Sequence, residues 1–134
     1  MSNIIDKINT IPNLYHLKGC SEEQLAEAQD ILGIIFPLEF VNYTKEFGVI
    51  SFYGTEWTGL NVSGPLNVVE ATQVERSRNA SFPKDCFVLE NQAIDGILSI
   101  ADQYGKVYLQ QLGRRELLCN SISEYLEICI KRQK

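Results

Sequence analysis

The chain has 134 residues, 45% of them hydrophobic and 22% charged, the balance of an ordinary globular fold. Seventeen acidic against twelve basic residues leave a formal charge of −5, which argues against binding to nucleic acid or to an anionic membrane. At about 100–200 residues per domain the length holds one domain, and a core of this size needs neither a metal nor a disulfide to fold.

Ser2 to Thr10 predicts a short helix with Ile4, Ile5 and Ile8 on one side and Pro12 beyond its end; Tyr15 to Gly19 then reads as a connector. The first seven residues lack the basic start and apolar run of a signal peptide, and no apolar stretch nears the ~20 residues of a membrane span. A soluble cytoplasmic protein is the expectation. Ser21 and Gln24 have the spacing of a capping box ahead of Leu25, Ala28, Ile31 and Leu32, with Gly33 placed to end that helix. Phe36-Pro37 opens a second helix striped by Phe40, Val41, Tyr43, Thr44 and Phe47 and left through Gly48.

Beyond Gly48 the texture turns to β. Val49–Tyr53 and Trp57–Val62 read as strands between glycines, and Leu66–Glu70 as a further short one. Ala71–Arg78 is either a helical turn or a loop. Phe87–Glu90, Gly96–Ala101 and Val107–Leu112 follow as strands, with turn chemistry at Asp102–Gly105, and Glu116–Cys119 comes after a turn at Gly113. Ser121 and Glu124 form a second capping box before a terminal helix carrying Ile122, Tyr125, Leu126 and Cys129 on one face. Helices, a run of strands and a closing helix predict an α+β fold. The expected sheet is antiparallel-rich, of about five or six strands, with helices packed mainly on one face.

The residues that carry chemistry do not converge in the sequence. Cys20, Cys86, Cys119 and Cys129 contain no C-x-x-C pair and have His16 as the sole imidazole, so neither a zinc site nor a disulfide framework is expected. Four reduced thiols, mostly packed as small hydrophobes, is the better reading. A His16–Cys20 dyad lacks an orienting third group, and the glycines at 54, 59 and 64 fit no phosphate-binding loop. The many carboxylates read as surface charge rather than as a catalytic pair. No enzyme activity and no cofactor are expected.

The span Ser21-x-x-Gln24-Leu25-x-x-Ala28-x-x-Ile31-Leu32-Gly33, followed by Phe36-Pro37-x-x-Phe40-x-x-Tyr43-x-x-x-Phe47-Gly48, resembles the SUKH superfamily. Ser121-Ile122-Ser123-Glu124-Tyr125-Leu126 matches its closing helix. The chain is similar to the branch shared by fungal Smi/Knr cell-wall regulators and bacterial toxin-immunity proteins. One glycine after Phe47, where the family often has two, and Phe36 in place of the commoner leucine are its departures. The resemblance implies a single SUKH-like domain over residues 1–134, with 1–19 as its N-terminal helix and connector. It also implies a non-enzymatic immunity protein that neutralises a cognate toxin, of nuclease type, by stoichiometric binding. The alternative is a regulatory or scaffold domain acting on a housekeeping partner, such as cell-wall synthesis.

The motif positions are structural, so contacts to a partner have to come from elsewhere. An acidic chain favours a basic toxin domain, because opposite potentials raise encounter rates. Loop position and charge nominate Tyr53, Glu56, Trp57, Glu90, Asp95 and Asp102 as the partner-binding face of a monomer or weak dimer. Trp57 has a competing role as a core anchor, since one indole buries much apolar surface.

Overall fold

A computed structural model describes residues 4–92, 96–111 and 113–132. Helix α1 (Ile4–Asn9) buries Ile4 and Ile8, and α2 (Glu22–Leu32) starts on the full capping box. Ser21 Oγ accepts the Gln24 amide at 3.1 Å while Gln24 Oε1 takes the Ser21 amide at 2.9 Å, so two otherwise unpaired donors are satisfied. Gly33 closes α2 at φ 69°, a left-handed geometry that costs glycine nothing. Pro37 caps α3 (Leu38–Phe47), which buries Phe40, Tyr43, Thr44 and Phe47.

The strands divide into two antiparallel sheets. The smaller, in the order β1 (Tyr15–His16), β2 (Ile50–Phe52), β3 (Thr55–Glu56), takes part of the expected connector as its edge. The larger is a meander of β4 (Cys86–Asn91), β5 (Leu98–Asp102), β6 (Val107–Gln111) and β7 (Arg114–Cys119). Trp57–Val62 is not a strand. It runs past the outer edge of β4, where Thr58 donates its amide to Leu89 O and its hydroxyl to Val88 O, both at 2.8 Å. Gly59 allows that passage: a Cβ there would lie 1.7 Å from the Gly48 carbonyl oxygen. Leu66–Glu70 is not a strand either, because Asn67 Oδ1 accepts the Glu70 amide at 3.0 Å and starts α4 (Val68–Arg78). The expectation left open at Ala71–Arg78 thus resolves as helix.

The main core lies between one face of the larger sheet and α1, α2, α3 and α5 (Ile122–Lys131). Its spine is aromatic. Phe36 and Phe40 meet Phe87 at 5.0 and 4.7 Å between ring centroids, Tyr43 meets Trp57 edge-on at 5.4 Å, and Trp57 stacks on Tyr125 at 5.8 Å. Tyr43 also donates its hydroxyl to Thr58 O at 2.8 Å and accepts the Ile50 amide at 3.2 Å, tying α3 to both β regions. Helix α4 takes the other face, where Phe82, Cys86, Val88, Leu98 and Ile100 form a second cluster with Ala71 packed on it. No helix among the described residues is long and apolar enough to cross a membrane.

Candidate functional site

Of the six residues nominated from the sequence, three are consumed by the interior. Trp57 is fully buried, so it is the core anchor and not an exposed binding residue. Glu90 is 3% exposed. A register shift between Val88 and Glu90 pairs Glu90 with Ser99, placing its carboxylate under α5. There Arg132 reaches Oε2 at 2.5 Å, and the Tyr125 hydroxyl donates to Oε1 while lying 2.6 Å from Ser99 Oγ. Burial, with Cys129 and Glu90 beside it, pushes the Tyr125 phenol well above its usual range. Burial and the Glu90 charge raise Cys129 to about 11.

Asp102 is also buried, and it organises the β5–β6 turn. Its Oδ1 accepts the amides of Tyr104 and Lys106 at 2.9 and 3.0 Å, and Oδ2 accepts the Tyr108 hydroxyl at 3.0 Å. Burial therefore withdraws Trp57, Glu90 and Asp102 from the face, because an interior side chain bonded on all sides has no surface to offer. Asp95 lies outside the described residues.

Tyr53 and Glu56 remain exposed, and β2–β3 presents both. Tyr53 and Gly54 form a two-residue loop with φ 47° and 85°, the signs of a type I′ turn. The first position of that turn favours Asn, Asp or Gly; an aromatic there costs on the order of 1 kcal/mol in backbone strain. The ring is 55% exposed, so packing does not repay that strain.

Glu56 borders a groove of about 520 Å³ between α4 and the second face of the larger sheet. Leu66, Ala71, Val74, Val88 and Leu98 supply its apolar lining, and Glu56, Glu70, Glu75 and Arg78 its charged groups. Sequence reading missed this groove because it took the start of α4 for a strand. The Asn67-x-x-Glu70 spacing was the available signal, although the Glu70 carboxylate turns to the Gly64 amide at 3.2 Å rather than completing a box. A second missed feature is an apolar patch where Gly105 abuts Pro37, flanked by exposed Ile35, Leu38 and Tyr104.

The remaining chemistry is local. His16 Nδ1 lies 2.8 Å from Leu17 O, and the imidazole packs edge-on against Phe47. The four cysteines are free thiols, with Cys20, Cys86 and Cys129 buried. Burial and the neighbouring Asp85 charge push Cys86 up to about 12. Among the described residues no cluster of three or more His, Cys, Asp or Glu is placed to hold a metal. A family model described as SUKH_5, SMI1-KNR4 cell-wall, matches residues 1–131. No curated protein matches the chain.

Proposed function

The chain belongs to the SUKH family of SMI1-KNR4 proteins, and from that premise we propose that it is an immunity protein, binding a toxin domain one-to-one and blocking it without catalysis. The family match over residues 1–131 carries the reading. A formal charge of −5 favours a cationic partner, the state of a nuclease that must itself hold phosphates. The exposed β2–β3 hairpin supplies an aromatic at its turn, Tyr53, and a carboxylate on its second strand, Glu56. Aromatic side chains are favoured anchors in such contacts, and a strained turn held without internal compensation is a feature that binding can explain.

The test is co-expression with the C-terminal domain of a toxin encoded beside this gene, followed by calorimetry on the purified pair. The reading expects rescue of growth and a one-to-one complex. Tyr53→Asn, which suits the type I′ turn better, should raise stability by about 1 kcal/mol while weakening the complex about tenfold. Glu56→Lys should weaken it by a similar factor at unchanged stability. Capture of a cell-wall synthesis protein, with no rescue from any toxin domain, would replace immunity by the regulatory role that the family description points to.

A further inference from the structure

We infer that the groove between α4 and the four-stranded sheet docks a cationic segment of a protein partner, with one apolar side chain on the floor and an adjacent lysine or arginine at the rim. This rests on the binding reading above and adds the chemistry of the segment bound. Leu66, Val74, Val88 and Leu98 line an opening of about 520 Å³, within the ~300–1,000 Å³ range of clefts that enclose a ligand group. Val74 is 44% exposed although it projects from the middle of a helix, so its apolar surface stands unused beside the opening.

The rim then selects the sign of the partner. Three carboxylates, Glu56, Glu70 and Glu75, face a single guanidinium, Arg78. Arg78 is 4.0 Å from Glu75 and largely exposed, a contact loose enough to exchange for a better cation. Glu70 accepts one backbone amide at 3.2 Å and keeps lone pairs free. The Glu56 carboxylate has no hydrogen bond or ion pair among the described residues. Carboxylates above a low-dielectric floor focus a negative potential into the opening, which repels phosphate and attracts Lys or Arg. An apolar floor gives little to a free metal ion or a small polar cation, so the fitting occupant is a side-chain pair on a polypeptide.

The probe is an end-blocked peptide of alternating leucine and lysine, titrated into the ¹⁵N-labelled chain beside a counterpart with glutamate for lysine. The expected result is amide shifts concentrated at Leu66, Val74, Glu75 and Leu98 for the cationic peptide alone, weakening as ionic strength rises. Val74→Arg, which fills the opening with a cation from a solvent-facing helix position, should weaken binding about tenfold. Glu75→Gln, which leaves the opening clear, should weaken it about threefold. Shifts lying elsewhere, equal binding of the acidic peptide, no binding, or indifference to Val74→Arg would each overturn the groove. In a toxin complex, unchanged affinity of Val74→Arg overturns the groove while leaving immunity standing. Groove-specific peptide binding with no toxin bound overturns immunity and leaves the groove.

Discussion

Glu90, on β4 beneath α5, and Glu75, on α4, are both carboxylates held by regular structure at the larger sheet, one on each of its faces. Glu90 is enclosed, with Tyr125, Arg132, Ser99 and Cys129 around it and Trp57 stacked on the Tyr125 ring. Glu75 borders an open groove and meets Arg78 only at 4.0 Å. The same chemical group therefore does opposite work. A carboxylate bonded on every side fixes the position of a helix, and removing one partner strands a charge in a low dielectric. A carboxylate at a rim contributes little to folding and keeps its field for a partner.

The largest effects are expected on the buried side. Trp57→Ala removes the ring that joins Tyr43 to Tyr125 and should cost about 4 kcal/mol in urea unfolding. A loss under 1 kcal/mol would mean the spine can collapse around the gap. Arg132→Met leaves Glu90 buried without its cation and should cost about 3 kcal/mol, reduced from the fully buried case because the arginine is one-third exposed. Neither change should alter the salt dependence of partner binding once the protein is folded.

Alkaline unfolding sharpens the same contrast. Cys129 titrates at about 11 in the fold, against an ordinary value of 9.0. The unfolded chain thus releases this proton first, so the thiol's contribution is complete below pH 9 and is lost as pH rises through 11. Stability should fall by about 2 kcal/mol over that window, and Cys129→Ala should flatten that part of the profile. At the small end of the scale, Glu75→Gln, which keeps the shape of a side chain only 20% exposed, should change stability by less than about 1 kcal/mol while weakening binding of a cationic partner. A large stability loss there would show that the rim carboxylates belong to the fold after all.

Most elements were legible wherever local chemistry decides structure. The Ser21–Gln24 box, the Gly33 exit, the Pro37 start and the Asp102–Gly105 turn involve neighbours in sequence, and the structure has each of them. The Ser121 cap is there too, although Glu124 takes the amide of Asn120 instead of closing the box on Ser121. Only the start of α4 reads as strand in the sequence, because Val68 and Val69 carry strand propensity, while Ala71–Arg78 stays open between a helical turn and a loop; the helix depends on Val68 and Thr72 being buried, with Thr72 Oγ1 accepting the Val88 amide at 3.0 Å. Trp57–Val62 was misread for the converse reason, because its strand-like residues lie along an edge whose acceptors Thr58 already occupies.

The sequence alone determined the α+β class, the caps and the apolar stripes, since these follow from spacing along the chain, and its motifs carried the resemblance that the family match over residues 1–131 bears out. The tertiary structure decided which carboxylates are available. Tyr53 and Glu56 stay outside, whereas Glu90 and Asp102, chosen on the same grounds of charge and position, turn inward. A bulge one residue long and a turn four residues long settle their fate, because whether a charge is buried depends on what the rest of the chain packs against it.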